Sequence, residues 1–119
     1  MVRAFLFRMA ALASIAGSFS ALPASAEMSL NQICAANLAR MDAERLNGGL
    51  SKYFTAKCMH QNGGGNCMVN AGPNGYLFDF LDGPPGWEVN RQAATTETRI
   101  LILPDCTRVS NVEYNGAPR

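Results

Sequence analysis

The sequence has no surplus of charge of either sign: ten Lys and Arg stand against nine Asp and Glu over 119 residues. A nucleic-acid binder normally carries a clear basic excess or stripe, so the composition argues against that class. It argues equally against electrostatic attachment to an anionic membrane. Catalytic vocabulary is thin. Histidine occurs once, at His60, and a lone imidazole hydrolyses nothing without a nucleophile and an orienting carboxylate beside it. There is no Gly-x-Ser-x-Gly elbow and no His-Glu-x-x-His pair. Cys-x-x-Cys, the usual spacing of thiol–disulfide exchangers, is missing too. Gly63-Gly64-Gly65 lacks the lysine and the strand-to-helix setting of a phosphate loop. No catalytic residue is assigned, and no cofactor is expected.

What is present begins with an export leader. Arg3 and Arg8 supply a positive start without acids, Met9 to Leu22 form a short apolar core, and Pro23 precedes Ala24-Ser25-Ala26. That order is the pattern of a cleavable secretory signal over residues 1–26. A membrane-spanning helix needs roughly 20 strongly apolar residues, and this core is shorter and diluted by Ala, Ser and Gly. No cysteine follows the cleavage position, so neither a lipid anchor nor a retained membrane anchor is expected. Without the leader and its two arginines, eight bases face nine acids. The remaining residues, 27–119, make one small domain in the periplasm or outside the cell.

A domain of this size buries little apolar surface and gains from crosslinks. Cys34, Cys58, Cys67 and Cys106 all follow the leader, an even count that reads as a disulfide framework. Four cysteines allow three pairings; local placement favours Cys58–Cys67 and Cys34–Cys106. The spacing predicts a helix over roughly 29–46, with Ser29 as N-cap, Gln32 completing a capping box and Asn47-Gly48-Gly49 as exit. Leu30, Ile33, Cys34, Leu38 and Met41 form the stripe expected to face the core. Short β-like runs follow: Lys52 to Met59, then Cys67 to Val69 across a glycine-rich hairpin tip, Tyr76 to Leu81, and Thr95 to Leu103. Trp87-Glu88-Val89 reads as a short extended piece, and Val109 to Tyr114 as the last strand before a loose tail. The continuous apolar end Ile100-Leu101-Ile102-Leu103 predicts a central strand covered on both faces. Together these give an α+β domain: an N-terminal helix on one face of a four- to five-stranded antiparallel sheet, held by disulfides.

Two clusters bear on function. Cys58-Met59-His60 with Cys67-Met68 brings thiol, thioether and imidazole close together, donors suited to a soft ion such as copper or zinc. The spacing matches no standard zinc signature, and oxidised Cys58 and Cys67 would offer no thiolate. Asp79, Asp82 and Glu88 gather acids near one loop, as glycosidases do, but they also read as ordinary strand-end and turn acids. The second cluster is Pro84-Pro85-Gly86-Trp87 beside the Tyr76, Phe78 and Phe80 face. Stiff prolines lower the entropy cost of binding, and Trp and Tyr are frequent interface anchors. The expected function is therefore a non-enzymatic binding module that uses Pro84, Pro85, Trp87 and Tyr76 against another exported protein or cell-envelope component. Soft-metal binding through Cys58, His60 and Cys67 is the alternative. The binding reading predicts that Trp87→Ala leaves the fold intact.

Overall fold

A computed structural model describes residues 28–119, so the leader lies outside the described residues. Helix α1 spans Leu30–Leu46. It starts where expected because the Ser29 hydroxyl accepts from the Gln32 backbone N–H at 3.0 Å, satisfying one of the donors that a helix start leaves free. The reciprocal half of the capping box is not made: the Gln32 side-chain amide donates to the Gly63 carbonyl instead, at 3.4 Å. Asn47 closes the other end, its backbone and side-chain N–H groups both donating to the Ala43 carbonyl.

Five antiparallel strands follow: β1 (Phe54–Thr55), β2 (Met68–Gly72), β3 (Gly75–Gly83), β4 (Thr96–Ile102) and β5 (Val109–Gly116). β3 and β4 run side by side over their length, and β5 extends the sheet beyond β4. β1 and β2 share the far edge of β3, β1 pairing at Asp82–Gly83 and β2 at Gly75–Phe78. α1 packs on one face, giving the α+β architecture that the order of elements predicts. Both disulfides form as favoured, Cys34–Cys106 and Cys58–Cys67. Two intramolecular disulfides fit maturation in an oxidising, exported environment.

The helix face is a correction. Ala35, Ala36, Ala39 and Ala43 are the buried stripe; of the expected one, Leu38 packs against the core and Ile33 is half-buried, whereas Leu30 is 82% and Met41 56% exposed, and Cys34 is exposed beside its disulfide. Alanines let the helix approach closely enough for backbone to pack on it. Residues 57–67 use that proximity, and the expected strand beyond Thr55 and the glycine hairpin tip are replaced by a 3₁₀ turn at Lys57–His60 and a kinked coil over Asn62–Cys67 in which Gly63, Gly64 and Gly65 all have positive φ. Gly64 has φ +83°, and a Cβ there would lie 2.7 Å from the Phe78 ring and 3.5 Å from the Ala36 side chain. Only glycine fits that layer between helix and sheet. Cys58 and Cys67 thus meet across a packed coil, not across a hairpin.

The sheet's second face also differs from expectation. β4 alternates: Thr98, Ile100 and Ile102 are buried under α1, while Arg99 and Leu101 are only partly covered on the other side. Arg99 joins Asp79 at 2.9 Å and Glu113 at 3.0 Å across three strands. The tail is held, not loose: the Arg119 backbone N–H donates to Glu97 at 2.8 Å and its guanidinium sits 3.7 Å over the Tyr114 ring. Residues Trp87 to Val89 form turns rather than an extended piece.

Candidate functional site

At the Gly83 end of β3, β1 and the proline loop face each other. Phe54 leaves β1 on the outer side because Thr55, its neighbour, takes the buried position. His60, at the end of the first 3₁₀ turn, stacks its imidazole on the Phe54 ring with centroids 4.7 Å apart and planes 13° from parallel. Its Nε2 lies 2.9 Å from the Thr55 hydroxyl. Burial, and then the nearby Arg40 cation, hold the His60 pKa below its usual value, favouring the neutral ring.

The opposite wall comes from the loop after β3. Trp87 is only 7% exposed, its indole N–H donates to the Phe54 carbonyl at 2.9 Å, and its ring lies so close to Gly83 that a Cβ there would sit 2.6 Å from it. Glu88 accepts the Lys57 backbone N–H at 2.7 Å, tying the loop to the first 3₁₀ turn. Between these walls is an open cleft of about 610 Å³ lined by Phe54, Lys57, His60, Pro85, Trp87 and Val89, with Gly86 and Glu88 completing it. That volume is in the range of ligand-sized sites, and the lining has the mixture they show: mostly apolar walls, few polar groups. Phe54 is 39% and Val89 87% exposed, so the mouth itself is apolar.

The sequence-predicted residues divide accordingly. Pro85 and Trp87 line the cleft, with Trp87 as a built-in wall rather than a protruding anchor; Pro84 is exposed in the same loop. Tyr76 is at the other end of β3, its hydroxyl 3.2 Å from that of Ser29, and does not belong to this site. Phe54, Lys57, His60 and Val89 were not singled out together. The two-residue β1 carries no readable period, and only its pairing with Asp82–Gly83 brings Phe54 opposite the loop.

The soft-ion set does not assemble. Cys58 and Cys67 are bonded to each other, so neither sulfur is a thiolate, and His60 is engaged by Thr55. Among the described residues no group of three or more His, Cys, Asp or Glu is placed to hold an ion. Nor do the three loop acids converge. Asp79 pairs with Arg99 on the outer face, Asp82 is buried on the inner face, and Glu88 is in the loop. The Thr55–His60 contact has the distance of a nucleophile–base pair, but the Thr55 side chain is buried and closed to substrate. Compared with protein-family models, curated proteins and solved structures, the chain matches none.

Proposed function

We propose that this is an exported, disulfide-held binding module, non-enzymatic, whose Phe54–Trp87 cleft receives an apolar side chain presented by another exported protein in the periplasm or outside the cell. The observation that carries the reading is the apolar cleft with both its lips exposed, Phe54 on one side and Val89 on the other. An apolar group entering it leaves water for two rings, Pro85 and Val89, at roughly 25 cal/mol per Å² of surface buried. The walls are already fixed by the Trp87–Phe54 and Glu88–Lys57 hydrogen bonds, so little ordering is left to oppose capture. Glu88 and Lys57 at the rim supply polar contacts for the partner's backbone without setting a strong charge preference.

The test uses capped amino acids as probes, N-acetyl-phenylalanine amide and N-acetyl-leucine amide, followed by nuclear magnetic resonance. For ligands this small an affinity of about millimolar is expected. Shift changes confined to Phe54, His60, Trp87 and Val89, lost in Val89→Asp, support the reading. Val89 is exposed, so that substitution leaves the fold unchanged. No response to either probe, or responses spread over the surface and unchanged in Val89→Asp, would reject the cleft as the binding surface.

Export is tested separately. Protein recovered from a secreting host is expected to begin at Glu27 and to weigh about 4 Da less than its fully reduced mass, two protons for each disulfide. A chain that retains residues 1–26 after passage through the export machinery would contradict the cleavable leader.

A further inference from the structure

Beneath the cleft, at the same end of the domain, a chain of polar side chains runs from the half-buried Asn47 and exposed Asn115 at the surface into the buried Thr98 and Asp82 of the core, and the binding reading does not use it. Asn47, at the end of α1, donates its side-chain N–H to the Ala43 carbonyl at 2.8 Å. Because a backbone carbonyl only accepts, that contact fixes which side-chain atom of Asn47 is nitrogen. Asn47 and Asn115 of β5 then form a reciprocal amide pair, each N–H on the other's oxygen at 3.1 Å. The Asn115 orientation follows: its oxygen, not its nitrogen, lies 2.8 Å from the Thr98 hydroxyl. An amide oxygen cannot donate, so the single Thr98 proton goes to Asn115.

Thr98 Oγ1 is also 3.0 Å from Asp82 Oδ2, and both side chains are fully buried. With its only proton already committed, Thr98 can take part in this second contact only as acceptor. The proton between them must come from Asp82. The Tyr53 hydroxyl, 3.5 Å from Thr98 Oγ1, approaches its remaining lone pair. A threonine hydroxyl has one donor and two acceptor sites, and this arrangement uses all three. The other carboxyl oxygen, Asp82 Oδ1, is buried without a partner, tolerable for a neutral C=O and costly for an anion.

We propose that Asp82 is a proton latch: as a neutral carboxylic acid it donates to Thr98 and completes a one-way hydrogen-bond chain joining β3, β4, β5 and the end of α1, and its ionisation releases that end of the domain. Burial agrees with the proton count, pushing the Asp82 pKa to about 7. Burial outweighs the hydrogen bonds with Tyr53 and Thr98, which act to lower the Asp82 pKa, and the neighbouring carboxylates add to burial. Tyr53, before β1, has its own pKa raised by burial and by the Asp82 charge. Glu97 of β4 and Asp79 of β3 oppose a further negative charge, and Glu44 of α1 acts on Tyr53 in the same sense. Because the folded-state value lies above that of an unfolded aspartate, near 3.9, the folded protein binds more protons between about pH 4 and 7. Stability from the latch is complete below that window and is lost as pH rises through it. The latch adjoins the cleft, since Asp82 pairs in register with Thr55 and precedes Gly83 under Trp87. It is nevertheless independent of what the cleft binds and is tested without ligand.

The decisive measurement is the carboxyl ¹³C shift of Asp82 in the folded, ligand-free protein across pH 3–9. A midpoint near 7 is expected, with amide hydrogen exchange at β1 and at the last turn of α1 accelerating above it. In parallel, the folding equilibrium constant falls up to about a thousandfold from pH 4 to well above pH 7. Asp82→Asn keeps a donor toward Thr98 and removes the titration, so this fall is largely abolished. An Asp82 carboxyl already ionised at pH 5 overturns the proposal, whether or not the variant folds. So does an unchanged pH dependence in Asp82→Asn.

Discussion

Replacing Cys34 and Cys106 together by alanine is expected to cost about 4.4 kcal/mol, against about 2.7 for Cys58 and Cys67, on chain-entropy grounds. The difference follows from sequence separations of 72 and 9 residues, because the longer loop restricts the unfolded chain more. A domain of this size has roughly 5–14 kcal/mol in all, so the larger loss is a substantial share of the total. It corresponds to a fall in melting temperature of roughly 20–30 °C. The geometry supports the ranking. Cys34–Cys106 fastens the first half of α1 to the β4–β5 connection, while the other end of the helix is held by the Asn47–Asn115 pair. Urea denaturation of the two double variants checks it. A smaller loss for the long-loop variant would mean that the unfolded chain is already compact, and the entropic account would fail.

Trp87→Ala is expected to destabilise the domain by about 3–5 kcal/mol, as removal of a buried aromatic does. This reverses the expectation from sequence that the fold would survive intact. Two neighbours in the site depend on Trp87: its indole N–H holds the Phe54 carbonyl, and its ring covers Gly83. Losing it opens a cavity and leaves a backbone acceptor to find another partner. Denaturant unfolding followed by circular dichroism measures the cost. A loss below 1 kcal/mol would show Trp87 to be a surface anchor after all. Val89→Asp is the contrasting variant, affecting capture without touching the core.

The two titrating groups beside the cleft act in opposite senses. His60, with its pKa held low by burial and by Arg40, favours the fold when neutral, so its contribution is lost as pH falls. Asp82 also favours the fold when neutral, so its contribution is lost as pH rises. Of the two, Asp82 has the larger effect, because it is fully enclosed while His60 is exposed.

Several elements were legible because local chemistry alone specifies them. Ser29 marks the start of α1 through its own hydroxyl, and Asn47-Gly48-Gly49 mark its end. The Tyr76–Leu81 and Thr95–Leu103 runs place β3 and β4 by their content of strand-forming residues. An even cysteine count in a short chain with an export-like start led to the disulfides. Each of these depends on residues within a few positions of one another, or on simple parity.

What the sequence by itself determined is therefore the order of elements, the antiparallel α+β class and the favoured disulfide pairing. The tertiary structure decided which surfaces meet. It put the alanine stripe of α1 inward, since alanine helps a helix equally on either face and its burial shows only when a partner packs closely. It turned the glycine triplet from a hairpin tip into a layer under Phe78. It separated Tyr76 from Trp87 by the length of β3 and brought Phe54 and His60 to Trp87 in its place. The neutral Asp82 was beyond reach for the same reason. Its proton is specified by Thr98, Asn115, Asn47 and Ala43, four residues from three elements whose orientations are set by contacts the folded chain alone creates.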